Sequence, residues 1–237
     1  RWTAGRGCAV RLRVATTSDP PFRRLGLKFR IDLLHQNIWD FNIHNVKSDM
    51  FIGGVKLKLS ALVMFDFQNP LPVVDGEDCV VGSARRDEVH QKGLRHRAVH
   101  VLIFDGGGQF FFQKRALYKE SSPGLWDSSV AGHVDAGETY DQCCLREIAE
   151  EVGLVIEKVP MRLFKLSATP ITDMEFSWIY RLDTVTPLVP DYTEMERGAW
   201  FSVNAIDQWI EKRPQEISTV FRVIWQRCRQ QGFIVGE

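Results

Sequence analysis

The stretch GHVDAGETYDQCCLREIAEEVGL, Gly132 to Leu154, decides how this chain is read. Its centre, Arg146-Glu147-Ile148-Ala149-Glu150-Glu151, has the spacing of a helix. Residues three and four apart share a helix face, so Glu147, Glu150 and Glu151 gather on one side. Leu145, Ile148 and Val152 form an apolar stripe on the other. Like charges four residues apart repel by about 0.2–0.5 kcal/mol per pair. A hard divalent cation such as Mg²⁺ (or Mn²⁺) converts that repulsion into a site, because it takes oxygen ligands and is shared with substrate phosphates. The bland alternative is an ordinary acidic surface helix. Gly153 can end the helix in the left-handed conformation. Cys143 and Cys144 read as small apolar residues for burial.

Composition narrows the class. The chain has 237 residues, enough for one well-filled domain with an appendage. Lys plus Arg equals Asp plus Glu, 30 against 30, so no charge bias points to a nucleic acid or a membrane surface. Five cysteines without a C-x-x-C speak against a disulfide framework and against a cysteine zinc site. No apolar run reaches the length of a membrane span. A cytoplasmic, reducing compartment is expected. The opening residues suggest a plastid or a mitochondrion instead, being Arg-rich (Arg1, Arg6, Arg11, Arg13, Arg23, Arg24, Arg30) with Asp19 as their lone acid, as in a transit peptide. Residues 1–70 are therefore expected to be a targeting segment, a loosely packed extension, or sequence upstream of the working protein ahead of Met64. Residues 31–63 show no sustained helical or strand period. The basic head lacks the interleaved aromatics of an RNA-stacking surface.

From Leu71 the pattern tightens, and 71–237 is expected to be the catalytic domain. LPVVDGEDCVVG reads as a hairpin turning at Asp75-Gly76. AVHVLIFDGGGQFFFQKR (98–115) gives two strands around Gly106-Gly107-Gly108, ending on Lys114 and Arg115 with Lys119 beyond. WDSSVAG (126–132) reads as one strand delivering Gly132. Strands follow near 157–169, at 174–183 and at 198–201. Asn204 is expected to cap a helix through Ile210 with Asp207 in its first turn, and Gln215–Gln231 has amphipathic spacing. Basic side chains at a strand end are either solvated surface or a place for a diphosphate.

Gly132, Glu138, Arg146, Glu147, Ile148, Glu150, Glu151, Gly153 and Leu154 occupy every specified position of the Nudix box, and the stretch is identified as a member of that family by resemblance. The resemblance implies an α/β (α+β) chain with a Nudix-type α/β/α sandwich and a mixed sheet. It also implies a loop–helix–loop that holds Mg²⁺ through Glu147, Glu150, Glu151 and the Gly132 carbonyl against a small-molecule diphosphate. In that setting Glu147 is the first choice of base and Glu194 an alternative. Arg146 pairs with Glu138, and Arg115, Lys119 and Lys114 hold phosphates.

The resemblance runs from about Leu71 to Arg229 and is nearest to type I isopentenyl-diphosphate isomerases and their hydrolase relatives. In that branch histidines and acids bind a second divalent metal, and His90, His96, His133, Asp173 and Glu175 stand at the corresponding positions. Such a mixed set suits Zn²⁺ or Mn²⁺. Surface or loop histidines are the plain alternative. The isomerase moves a proton with a cysteine directly before Gly-His, and here that position is Ala131, which has no titratable proton. The missing thiol and intact box favour hydrolysis. Isomerisation is the runner-up, and a nucleotide-sensing module without catalysis a third reading. Trp126, Trp178 and Trp200 are candidates to stack on a base, although packing is the commoner role for tryptophans on strands. Nothing in the sequence speaks to oligomeric state.

Overall fold

The computed structural model describes residues 70–236 in full and, before them, the backbone of five strands. The chain divides into two units, Arg1–Phe67 and Gln68–Glu237. In the first, β1 (Arg11–Val14), β2 (Lys28–Asp32) and β3 (Trp39–Asn42) pair antiparallel, and β4 (Val46–Ile52) forms a hairpin with β5 (Val55–Ala61). Strands therefore occupy a stretch where the sequence shows no period. The side chains behind the targeting expectation, and Met64, lie outside the described residues.

The second unit opens with the expected hairpin, β6 (Leu71–Val74) and β7 (Val80–Ala84). Helix α1 (Arg86–Lys92) ends at Gly93 in the left-handed conformation. The main sheet contains β8 (His96–Phe104), β9 (Phe110–Arg115), β10 (Trp126–Asp127), β11 (Val130–His133), β12 (Met161–Leu166), β13 (Glu175–Asp183) and β14 (Met195–Phe201). Its main path is β10-β9-β8-β13-β12, with β11 on β8 and β14 on β9. β13 runs parallel to β8 and the other pairs are antiparallel, so the sheet is mixed.

The stretch 126–132 is two strands rather than the expected one. β8 and β9 pair only at Phe104 and Phe110 and then part. The chain runs first along β9 as β10, then crosses to β8 as β11. Ser128 and Ser129 make the crossing, and both are fully buried. The Ser129 hydroxyl donates to the Phe111 carbonyl on β9 and accepts the Ile103 amide of β8 at 2.9 Å, so it joins the parted strands. Small hydroxyl residues can do this where a ladder hydrogen bond is missing, since buried backbone groups must find partners.

Strand alternation gives the sheet two apolar faces. One carries Leu102, Phe104, Phe110, Phe112, Trp126 and Ile179, covered by α3 (Val203–Lys212) and α4 (Thr219–Gln230) through Ile206, Phe221, Ile224 and Trp225. The other carries Val99, Val101, Ile103, Phe111, Val130 and Tyr180, covered by α2 (Tyr140–Val152). Helix, mixed sheet and helices form the expected α/β/α arrangement. Each fully buried large apolar side chain contributes about 1.5–3 kcal/mol to holding these layers.

Four helix details differ from the sequence reading. α3 is capped by Ser202, whose hydroxyl accepts the Ala205 amide, rather than by Asn204. Asp207 lies beyond the first turn, where it accepts the Trp225 indole N–H at 2.7 Å and pairs with Arg229. α4 starts at Thr219 behind the cap Ser218, because Pro214–Glu216 forms a separate short turn. On α2 the buried stripe is Cys143, Cys144, Ile148 and Val152, whereas Leu145 is half-buried. The two thiols take the core positions, and burial pushes both above the ordinary thiol range.

Candidate active site

The split in the sheet organises the site. Along β11, Val130, Gly132 and Val134 face α2, while Ala131 and His133 face the other way. α2 begins at Thr139 with a reciprocal cap, the Thr139 hydroxyl taking the Gln142 amide and the Gln142 side chain taking the Thr139 amide at 2.9 Å. It ends at Gly153, φ +66°. Between these limits the box acids are placed over β11. A β-carbon on Gly132 would sit 2.0 Å from the Glu147 Cδ, so the Glu147 carboxylate rests on the space that a side chain would fill. The glycine is required there by close approach.

Arg146 is clamped to Glu138 by two bonds, Nε to Oε1 and Nη2 to Oε2, each 2.9 Å. It also donates to Glu147 Oε1 at 2.7 Å, to Glu150 Oε2 at 3.1 Å and to the His133 carbonyl at 3.0 Å. Burial raises the proton affinity of Glu138, but the bonds from Arg146 and the Asp135 amide outweigh it and hold this carboxyl below its ordinary range. Glu150 lies at the solvent edge. Glu151 is buried at 4% exposure and accepts the Gln113 amide of β9 at 3.0 Å. Burial pushes the carboxyls of Glu147 and Glu151 above the ordinary range, and their mutual repulsion adds to the rise at Glu151. Two neighbouring carboxylates that resist ionising together suit a cation.

Lys119 and Glu194 form an ion pair beside these acids. Arg115 Nε donates to the Ser121 carbonyl at 2.9 Å, and its Nη1 lies 3.8 Å from Asp127 Oδ2. Lys114 does not join them. Gln113 and Arg115 face α2, so alternation turns Lys114 to the opposite face, where its ammonium pairs with Glu196 at 2.9 Å.

A second cluster lies on the other side of β11. One ring nitrogen from each of His90, His96 and His133 falls within 4.8 Å of the others. Glu175 Oε1 is 3.0 Å from His133 Nε2 and 3.6 Å from His96 Nε2, and Asp173 Oδ2 is 3.7 Å from His90 Nδ1. His96 Nδ1 faces the Leu94 carbonyl at 2.9 Å. A carbonyl only accepts, so Nδ1 carries the proton and Nε2 presents a lone pair. His90 Nε2, His96 Nε2 and His133 Nδ1 are buried without a hydrogen-bond partner. Burial lowers His133 to about 3 and shifts His90 in the same direction, which keeps both rings neutral as a metal ligand requires. Asp173 and Met174 both have positive φ, 53° and 60°. Such strain in non-glycine residues clusters at functional sites. Ser121 links the two clusters, since its carbonyl takes Arg115 while its hydroxyl donates to Asp173 at 3.1 Å.

Gln113 and Asp127 are the site residues that sequence reasoning passed over. Gln113 ends a phenylalanine run as a buried polar residue, which was a readable signal. Asp127 carried none. Trp126 is buried in the core at 3% exposure, so packing is its role, and Trp178 and Trp200 are half-buried against the α2 face.

An oxygen-rich helix over a glycine, inside a helix–mixed sheet–helix sandwich, is the arrangement that the resemblance implies for an enzyme acting on diphosphates. The comparisons agree: the sequence matches the NUDIX domain over residues 94–222. An isopentenyl-diphosphate Delta-isomerase of Burkholderia multivorans is 30% identical over 163 residues, 67% of this chain and 92% of that protein. An uncharacterized Nudix hydrolase of Streptomyces coelicolor is 44% identical over 95 residues, 40% of this chain and 52% of that protein. The crystal structure of DR0079 from Deinococcus radiodurans aligns with a TM-score of 0.60 at 25% identity, covering 67% of this chain and 98% of its own. The chain belongs to the Nudix family, and its class is that of hydrolases acting on diphosphate bonds.

Proposed function

We propose that this Nudix enzyme is a Mg²⁺- or Mn²⁺-dependent hydrolase that cleaves the diphosphate linkage of a nucleoside diphosphate-type or other organic diphosphate. The observation that carries the reading is the Glu147 carboxylate seated on Gly132 together with buried Glu151, both carboxyls being raised above their ordinary range. Glu147, Glu150, Glu151 and the Gly132 carbonyl would hold the cation. A divalent ion there would neutralise phosphoryl charge and make water more acidic. Arg115 and Lys119 hold the phosphates. Glu147 takes the proton of the attacking water, and Glu194 is the alternative base. The Arg146–Glu138 clamp fixes the loop against the helix.

His90, His96, His133 and Glu175, with Asp173 beside His90, would hold a second divalent metal. Their three unpartnered buried nitrogens favour this over a structural role.

The isomerase relative at 30% identity supports a second reading, isomerisation of isopentenyl diphosphate. Two observations weigh against it. Ala131 supplies no proton on the histidine face. Cys143 does not replace it, because it lies on the α2 side of β11, 3.3 Å from the His133 carbonyl, with its thiol raised by burial.

A phosphorus NMR time course with Mg²⁺ tests the choice. It compares isopentenyl diphosphate with nucleoside di- and triphosphates, dinucleotides and nucleotide sugars. Released phosphate or monophosphate, abolished by Glu151→Gln, is expected. An intact diphosphate with a shifted allylic signal would establish the isomerase instead.

A further inference from the structure

We infer that Asp127 is a positioning residue: its buried carboxylate presets the Arg115 guanidinium for an incoming diphosphate. This rests on the proposed role of Arg115 in holding phosphate. Asp127 is 5% exposed, on a strand of two residues at the point where the chain leaves β9 for β8. Its register partner is Gln113, so its side chain shares the α2 face with Gln113 and Arg115. One oxygen, Oδ1, accepts the Ser128 amide at 2.7 Å. Ser128 is fully buried and its hydroxyl lies 2.9 Å from His100 Nδ1, so this end of the strand is held from both faces of the sheet.

The other oxygen, Oδ2, stands 3.8 Å from Arg115 Nη1. A buried carboxylate requires a charged or hydrogen-bonding partner, and among the described residues Arg115 is the cation paired with Asp127. At this separation the pair attracts without a direct hydrogen bond. Arg115 is then held at two points, Nε by the Ser121 carbonyl and Nη1 by the Asp127 charge, and neither contact uses Nη2. A long side chain loses rotamer freedom on binding an anion. Holding it beforehand removes that loss. A carboxylate this close to an anion site otherwise opposes binding, so a merely electrostatic account predicts tighter binding when Asp127 is neutralised. Positioning predicts the reverse.

The test is calorimetric titration of the full chain with inorganic pyrophosphate in the presence of Mg²⁺. Asp127→Asn keeps the shape and the acceptor for Ser128 but removes the charge. It should weaken pyrophosphate binding by about two- to tenfold, the cost of ordering one long side chain on binding, and it should add nothing in an Arg115→Ala background. Binding equal to or tighter than that of the parent, with Arg115→Ala impaired, would overturn the role of Asp127 alone. Binding unaffected by Arg115→Ala would overturn the phosphate-holding role of Arg115 itself. Should Asp127→Asn not fold, Asp127→Glu decides. Its extra methylene brings the carboxylate onto the guanidinium and draws Arg115 inward, so weaker binding is expected and unchanged or tighter binding would refute the inference.

Discussion

Replacing Gly132 by alanine should slow catalysis about 100-fold while sparing the fold. The new β-carbon would lie 2.0 Å from both Cδ and Oε1 of Glu147, and 2.5 Å from Oε2. Ordinary contact begins at 3.4 Å, so the carboxylate must retreat by about 1.4 Å. It is the far end of a flexible side chain, and an off-rotamer shift of that kind costs only about 0.5–1.5 kcal/mol. The retreat removes the 2.7 Å bond from Arg146 and moves a proposed metal ligand and base. Misplacing a catalytic group by about 1 Å costs on the order of 100-fold in rate, which corresponds to about 2.7 kcal/mol of transition-state stabilisation. Steady-state phosphate release under Mg²⁺ titration reads the rate, and thermal melting reads the fold. The double variant Gly132→Ala with Glu147→Gln should lose no more than Glu147→Gln does, because both changes act through one carboxylate. Parent-level turnover in Gly132→Ala would refute the reasoning, and so would full additivity in the double variant.

Gly198→Ala should behave in the opposite way. Its β-carbon would meet the Phe111 ring at 2.2 Å, and a packed ring cannot withdraw, so urea unfolding should show a loss of about 1–3 kcal/mol while activity per folded molecule stays unchanged. The pH dependence of the metal-free protein follows from Glu147 and Glu151. Their folded-state pKa values lie above the unfolded ones, so their contribution is complete below the ordinary carboxylate range and is lost as pH rises through the folded values. Melting temperature without metal should therefore fall between about pH 5 and about pH 8, and added Mg²⁺ should raise it more at the upper end. A flat profile, or equal Mg²⁺ shifts at both ends, would contradict the site. Among the described cysteines, exposed Cys79 should react first with a thiol reagent, because burial raises Cys143, Cys144 and Cys228. His96→Ala should lower Zn²⁺ or Mn²⁺ retained after dialysis, measured by elemental analysis, with the melting profile kept near the parent's.

Much of this enzyme is legible from the order of residues. The box is local: its carboxylates, glycines and arginine lie within 23 consecutive positions, and helical geometry alone brings Glu147 beside Glu151 and ends the helix at Gly153. Strand alternation and turn residues located the hairpins for the same reason, since they depend on neighbours two to four residues away. Long-range pairing is a different matter. The parting of β8 from β9 at Ser128 and Ser129 leaves no periodic trace, yet it turns Gly132 toward α2 and His133 toward the histidines. His90, His96, His133 and Glu175 are spread over 86 positions, and resemblance grouped them, whereas their distances come from α1 and the ends of β8, β11 and β13 coming together. Lys114 shows the limit most plainly. Its basic neighbour Arg115 faces the acids, but a strand sends adjacent side chains to opposite faces, so the pairing of β9 within the sheet placed one lysine outside the site. Chain order supplied the chemistry of this enzyme; which side chains converge on it followed from the sheet, because register and face are properties of strands far apart in sequence.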